Sequence, residues 1–262
     1  MEFTTFASGS SGNCLYIRGG RTKLLVDAGC SMRHIKNSLE QLGGRIEELA
    51  ALLITHEHSD HIQSAAALSR RYGIPIYASA KTWEHLPFGD EFFPFERNTF
   101  DYGMSIGEIA VDFFRLSHDA AQPVGMVFSH DGQRLGVVTD TGKVTAAMLD
   151  ALAGSDALVL EANHDLQMLR RGPYTERLKQ RIESAYGHLS NEQAGDALVQ
   201  LIGANTQAVL LSHLSAANNT PELAFDTVCA IVEQHFGHIP CNISVAPRKA
   251  PHPLICIEPR GA

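Results

Sequence analysis

Cysteine is sparse and unpatterned in this chain. Cys14, Cys30, Cys229, Cys241 and Cys256 make an odd set with no Cys-x-x-Cys spacing. A disulfide framework is therefore not indicated, and the five read as small buried hydrophobes in a reducing cytosol. Also missing is any apolar run near the roughly 20 residues that span a bilayer. The opening MEFTTFASGSSGNC has neither the basic nor the apolar region of a secretory leader. These absences point to a cytoplasmic protein without membrane association. Positive charge is scarce as well, with 21 Lys and Arg against 29 Asp and Glu for a net charge of −8. That balance argues against a general nucleic-acid binder, whose phosphate contacts need clustered Lys and Arg, yet it leaves room for a local basic patch.

No repeat and no low-complexity segment interrupts the 262 residues, and 44% hydrophobic content is ample for a buried core. MEFTTFAS and NCLYIRGG flank a Gly/Ser loop and read as a hairpin; TKLLVDAG is a strand ending at Asp27. MRHIKNSLEQLG is a helix stopped by Gly43-Gly44. ELAALLIT, IPIYAS, IAVDFFRLSHD, VGMVFSHDG, QRLGVVTDTG, DALVLEANHD and TQAVLLSHLS are further strands, several closing in polar clusters. SAAALSRRYG, SNEQAGDALVQLIG and TPELAFDTVCAIVEQHFG are helices. Strand-rich and strand–helix pieces in both halves, with no linker between them, predict one α/β domain over 1–262, built of layered sheets with outer helices. Polar residues at strand C-termini are what an active-site rim looks like in such a fold.

Histidine is what the chain has in plenty. Of 13, three fall in THEHSDH, residues 55–61. Leaving a strand in extended conformation, His56 and His58 point the same way and can approach one ion; Asp60 and His61 follow at the turn and can face a second. Imidazole with carboxylate suits Zn²⁺, Mn²⁺ or iron and not Ca²⁺. A solvated turn with incidental histidines would not explain why later strands also close on ligand-type residues: His118 in LSHD, Asp140 in VVTDTG and His213 in LLSHLS. His34, His85, His130, His235, His238 and His252 have no ligand partners at useful spacing and read as structural or solvated.

HxHxDH followed by His, Asp and His resembles the metallo-β-lactamase fold, a four-layer αββα sandwich with a two-metal site at one sheet edge. The resemblance spans nearly the whole chain. It implies that His56, His58 and His118 hold one divalent metal ion, that Asp60, His61 and His213 hold another, and that Asp140 bridges them. It implies two ions, zinc or manganese ahead of iron. Asp27 matches the family's early aspartate, which orients the HxHxDH loop. A hydroxide between two such ions would be the nucleophile.

Ligands alone do not choose among lactams, lactones, thioesters and phosphodiesters. EANHD (161–165), GHLSNEQA (187–194) and SHLS are similar in order to motifs of the tRNA 3′-end-processing endonucleases (tRNase Z). By that likeness His188 and Glu161 donate a proton or hold the scissile phosphate, and Asp60 positions the nucleophile. His164 either lines the cleft or turns the chain. LRRGPYTERLKQRI (169–182) carries Arg170, Arg171, Arg177, Lys179 and Arg181, and reads as a positive overhang able to track a phosphate backbone or as a solvated helix face. Gly9 and Gly12 let the Gly/Ser loop approach a ligand closely, although an ordinary hairpin turn would look the same. Ser10, Asn13, His164, Arg170, Arg171, Lys179 and Ser190 complete the candidate phosphate contacts. Taken in series, SGSSGNC, DAG, THEHSDH, TDTG, EANHD, GPY, GHLSN and LSHLS resemble the YycJ/WalJ-like branch of the fold, associated with 5′ exonuclease action on double-stranded DNA. From Asp140 to His213 is 73 residues, too few for an inserted β-CASP domain, and the 22 from His118 to Asp140 leave no space for a tRNA-binding arm. DNA is thus the expected substrate and partner. A small-molecule hydrolase acting on a cyclic phosphodiester or lactone, and a non-hydrolytic metal protein, are the alternatives. The tail APRKAPHPLICIEPRGA suggests no role, and nothing in the sequence points to a protein partner.

Overall fold

Consecutive apolar residues in the strands are buried on opposite faces, and this decides the layering. The computed structural model describes residues 1–88, 98–100 and 102–260. Strands β1 (Glu2–Ala7), β2 (Cys14–Gly19) and β3 (Thr22–Val26) form an antiparallel meander. After helix α1 (Met32–Gln41), β4 (Ala51–Leu53) adds parallel to β3. Helices α2 (Ser59–Ile62) and α3 (Ala65–Tyr72) lead to β5 (Ile76–Ala78); α4 (Ala80–His85) follows, and β6 (Asn98–Thr99) also adds in parallel. The second half repeats the plan. Strands β7 (Met104–Ile106), β8 (Ile109–Arg115), β9 (Val124–His130) and β10 (Gln133–Val138) are antiparallel neighbours. Helix α5 (Ala146–Leu152) then carries the chain to β11 (Ala157–Glu161), parallel to β10. Helices α6 (Leu166–Arg171), α7 (Glu176–Glu183) and α8 (Asn191–Leu201) precede β12 (Ala208–Ser212). Helix α9 (Pro221–Phe236) and β13 (Asn242–Val245) complete that sheet, and β14 (Ile255–Cys256) crosses back to pair with β1.

Among the described residues each sheet has seven strands, β14-β1-β2-β3-β4-β5-β6 and β13-β12-β11-β10-β9-β8-β7. Leu24 and Leu53 of one sheet meet Phe128, Val159 and Leu210 of the other in the central core. Their chain neighbours Leu25 and Leu52 face outward beneath Ile35, Leu39 and Leu68 of α1 and α3. On the far side Leu158, Leu160 and Val209 are covered by Leu152, Leu198 and Val228 of α5, α8 and α9. Strands buried on both faces read as continuous apolar runs, which is why the runs marked them. The result is the αββα sandwich of the metallo-β-lactamase fold.

One edge of the sandwich collects the strand ends that carry polar residues. Asp27 follows β3, Thr55 to His61 follow β4, His118 follows β8, Asp140 follows β10, and His213 follows β12. Asp27, Asp140 and His213 have φ of 59°, 55° and 56°; among the described non-glycine residues only Asp131 shares a positive φ. A left-handed conformation at such residues costs on the order of 1 kcal/mol or more and turns the chain sharply out of the sheet. Three backbone segments also converge here. Asn13 N–H donates to Asp60 O at 2.8 Å, Gly29 N–H to Asn13 O at 2.8 Å, and Ala28 N–H to His61 O at 2.7 Å.

Gly29 is the tightest point of that convergence, since a Cβ there would lie 1.6 Å from the Asp60 carbonyl oxygen. Backbone must then move against backbone, so Gly29→Ala should destabilise the fold by roughly 3 kcal/mol or more. Gly203→Ala, with nothing within 4 Å of the added carbon, should stay within about 0.5 kcal/mol. Urea unfolding of the two variants checks the contrast; equal midpoints would mean that the loops adjust freely.

Candidate metal centre

The seven ligand-type side chains that the resemblance implies meet at this edge. Ligand atoms of His56, His58 and His118 lie within 4.8 Å of one another, as do those of Asp60, His61 and His213. A third group joins His56, His61 and Asp140, and a fourth joins Asp140, Glu161, His188 and His213. Asp140 therefore stands between the two histidine clusters. His56, His61, His118, Asp140 and His213 are buried, while His58 and Asp60 are half-buried and open the site to solvent.

Each buried imidazole is held from behind. Asp27 accepts from Thr55 N–H at 2.9 Å, from Thr55 Oγ1–H at 2.8 Å and from His61 Nδ1–H at 2.7 Å. Thr55 Oγ1 in turn accepts from His56 Nδ1–H at 3.0 Å. His118 Nδ1–H donates to Gly187 O at 3.0 Å, and His213 Nδ1–H to Glu161 Oε1 at 2.9 Å. Protons on Nδ1 leave the Nε2 lone pairs facing inward, the arrangement that metal-binding histidines adopt. His56 Nε2 and His213 Nε2 are buried without a hydrogen-bond partner, and so is Asp140 Oδ2. A buried polar atom left unpaired costs free energy unless something occupies the space before it. The donor set of nitrogens and carboxylate oxygens fits a transition-metal ion.

The electrostatics agree. Burial, and then the neighbouring His61, push His56 well below the usual histidine pKa, so its ring is neutral and able to ligate. Burial works against a charged Asp140, but His213 and His61 outweigh it and hold the carboxyl well below its ordinary value. His213 is pushed up to about 10, with burial opposing and Asp140 and Asp60 prevailing. The carboxylates thus make a potential that favours positive charge deep in the seam, where burial alone would exclude it.

The family described as the beta-lactamase superfamily domain matches residues 22–214, from β3 through the loop that carries His213. The chain belongs to the metallo-β-lactamase superfamily. Among its relatives, exodeoxyribonuclease WalJ of Streptococcus pneumoniae is 41% identical over 87% of each chain. Exodeoxyribonuclease YycJ of Bacillus anthracis is 40% identical over 89% of this chain and 90% of its own. Among solved structures, the metallo-β-lactamase fold protein YhfI from Bacillus subtilis matches with a TM-score of 0.71 at 17% identity, over 96% of this chain and 98% of that one. The short form of human tRNase Z matches with a TM-score of 0.66 at 16% identity, over 98% and 100%. These last two carry the fold alone.

Against that superfamily layout the remaining candidates fall into different places. His188 sits at the rim with 16% of its side chain exposed. Its Nδ1–H donates to Glu161 Oε1 at 2.7 Å. Glu161 itself is fully buried and also accepts from Thr141 N–H at 2.9 Å and Leu189 N–H at 3.2 Å. Burial opposes its charge, but His188 beside it prevails and holds the carboxyl at about 2. With its two oxygens taken by four partners inside the fold, none is left for a phosphate, so the expectation that Glu161 meets the substrate is corrected to contact with His188 and His213. Ser190 is corrected likewise: buried, it caps α8 by accepting Gln193 N–H at 3.2 Å. Asn13 is buried too, its Oδ1 accepting Gly9 N–H at 2.7 Å and its Nδ2 lying 3.0 Å from His61 Nε2, so it joins the Gly/Ser loop to the metal loop. His164 does not line the cleft; it is 1% exposed, and burial lowers its pKa to about 4. Ser10 is exposed on the Gly/Ser loop and shares a cleft with Asp60.

The 169–182 segment does flank the site, since Arg181 binds Asp119, next to His118, at 2.6 Å. Of its other cations two are compensated, whereas Arg171 and Arg177 are exposed and form no ion pair among the described residues. Arg170 pairs with Glu183 at 3.2 Å, and Lys179 pairs with Glu176 at 3.0 Å with only 12% of its side chain exposed. Sequence reasoning overlooked Thr55, the relay between Asp27 and two histidines, and Asn163, whose Nδ2 donates to His213 O at 2.9 Å. Both are chain neighbours of motif residues, the one signal that could have found them.

Asp27→Asn tests the support behind His61. An amide nitrogen facing His61 Nδ1 would drive the ring proton to Nε2, the atom a metal needs. Metal affinity should fall about 10- to 100-fold in a competition titration with a chromophoric chelator. Wild-type affinity would remove Asp27 from that role.

Proposed function

We propose that this chain is a metal-dependent deoxyribonuclease, a 5′ exonuclease on double-stranded DNA that works with two divalent ions, zinc or manganese. The observation that carries the reading is a full set of two-metal ligands with a histidine–carboxylate pair, His188 and Glu161, beside it, in a chain 41% identical to an exodeoxyribonuclease. The 5′ polarity and the duplex substrate rest on the likeness to the YycJ/WalJ branch. A cytoplasmic setting is part of the same reading; no helix among the described residues is long and apolar enough to cross a membrane.

His56, His58 and His118 would hold one ion, Asp60, His61 and His213 the other, with Asp140 between them. Bound there, divalent ions supply Lewis-acid charge to the phosphoryl oxygens and lower the pKa of an attacking water. Asp60, half-buried at the mouth, would orient that water and take the proton it gives up. Water oxygen bonds to phosphorus as the phosphorus–oxygen bond to the leaving nucleotide breaks. The leaving oxygen takes a proton from His188 Nε2, the ring atom turned away from Glu161. Glu161 keeps His188 charged: burial resists, but the carboxylate raises the pKa of the ring above its usual value. Asp27 and Thr55 fix the histidines from behind and touch no substrate.

End-labelled duplex DNA, with or without a 5′-phosphate, incubated with Mn²⁺, Zn²⁺ or EDTA tests the reading. Metal-dependent shortening from the 5′ end is expected. Intact DNA in every lane from metal-loaded protein, with turnover of bis-p-nitrophenyl phosphate, a cyclic nucleotide or a lactone, would transfer the site to a small-molecule hydrolase.

Two variants separate the roles. Asp140→Ala should abolish activity and reduce bound metal in elemental analysis. His188→Ala should keep its metal and lose about 10²-fold or more in kcat, the usual worth of a positioned acid. An undiminished kcat would rule out proton donation by His188.

A further inference from the structure

A groove leaves the metal centre at Asp60. Its inner part, about 340 Å³, is lined by Ser10, Ser11, Ser59, Asp60, Gln63 and Phe88 among others. Its outer part, about 300 Å³, shares Ser11 and Gln63 and ends at Ser31, His34, Arg248 and Lys249. The shared residues make the two parts one path from Asp60 to a basic end. Among the described residues no carboxylate lines the outer part, in a chain of net charge −8.

The basic end is built into the fold. Ala246 N–H donates to Leu211 O at 2.8 Å, Ser8 N–H to Arg248 O at 3.3 Å, and His252 N–H to Thr5 O at 2.9 Å, so the segment is held on both sides of Arg248 and Lys249. Gly9 admits it: a Cβ there would stand 3.6 Å from Arg248 Cγ and 3.0 Å from the Leu214 carbonyl oxygen, one residue from His213. Both cations are exposed, and among the described residues neither forms an ion pair. The start of α1 adds to the field. Ser31 caps it by accepting His34 N–H at 3.3 Å, and its first turn holds no acidic residue, so the positive end of the helix faces the groove uncancelled.

We infer that this groove is a phosphate-binding subsite for the nucleic-acid strand, in which Arg248 and Lys249 hold a backbone phosphate beyond the one being cleaved. The inference rests on the nuclease reading above for its ligand, and on the geometry for its place. It moves part of the grip on the strand from the 169–182 segment, where acidic neighbours compensate Arg170 and Lys179, to a surface where no acidic side chain among the described residues pairs with either cation. A continuous strand then lies with one phosphate at the metals and the next along the serine-lined floor.

The test is fluorescence anisotropy with a labelled, cleavage-resistant phosphorothioate duplex on the metal-loaded protein, over a range of salt. Wild type is compared with the double variant Arg248→Gln/Lys249→Gln and with Arg170→Gln/Arg171→Gln. Losing two phosphate contacts should weaken binding about tenfold at moderate salt and reduce the log–log salt slope by about 2. The Arg170/Arg171 variant should lose less. Equal affinity and slope in the Arg248/Lys249 variant would overturn the inference, as would weakened binding accompanied by lost metal or a lowered melting temperature, which would mean damage to the site itself. Digestion of unmodified duplex by wild type is read separately. Should it fail while the binding difference holds, the nuclease reading falls and the groove stands as a phosphate site.

Discussion

A carboxylate withdrawn from water needs positive charge or hydrogen-bond donors beside it, and Asp140 is 2% exposed between the two sheets. His61 Nε2, His213 Nδ1 and His188 Nδ1 lie 3.1, 3.3 and 3.5 Å from its oxygens. Four elements must converge to supply them: the loop after β4, the approach to α8, and the ends of β10 and β12. The rest of the edge can be read as support for that convergence. Fixed imidazoles around a fixed carboxylate define a cation site whose geometry is set before any ligand arrives, which is what lets such a site act without reorganising.

The support is backbone as much as side chain. Asp27, Asp140 and His213 each leave their strands through left-handed conformations, and Gly12 and Gly29 allow main chain to lie against main chain. Local strain of this kind persists only where surrounding packing dictates it. Here the two-faced burial of β3, β10 and β12 does so, since a strand locked between a core and a helix layer has no freedom to relax at its end. Stability in the sandwich and precision at its edge are therefore coupled. Weakening the core should loosen the site before the fold is lost.

Much of this was legible in the sequence for a physical reason. Strands buried on both faces write themselves as apolar runs, and ligands at strand ends fall immediately after those runs, so THEHSDH, LSHD, VVTDTG and LLSHLS marked both the elements and the site. What could not be read were properties decided by distant partners. Glu161 looked like an acid for the substrate, yet its two oxygens are filled by Thr141, Leu189, His188 and His213. Ser190, Asn13 and His164 carry the right atoms but are committed to a cap, a loop contact and the interior. The cations of 169–182 read as an overhang or as a solvated face, and only the fold pairs Arg170 with Glu183, Lys179 with Glu176 and Arg181 with Asp119. Arg248 and Lys249 looked idle in a proline-rich tail because only the return of β14 to β1 brings that tail beside the Gly/Ser loop.

The two flanks of the centre differ in a way that bears on direction. An in-line displacement at phosphorus needs the attacking and leaving oxygens on opposite sides. Asp60 stands at the mouth of the groove, whereas His188 packs against both His118 and His213, at 5.0 and 5.3 Å between ring centroids, with its Nδ1 on Glu161. Attack from the Asp60 side would push the leaving group toward His188, where a proton waits and where acidic neighbours compensate Arg170, Lys179 and Arg181. The portion of strand lying in the groove would stay gripped by Arg248 and Lys249. Were the released side held more weakly than the retained one, that asymmetry would suit repeated removal of nucleotides from one end.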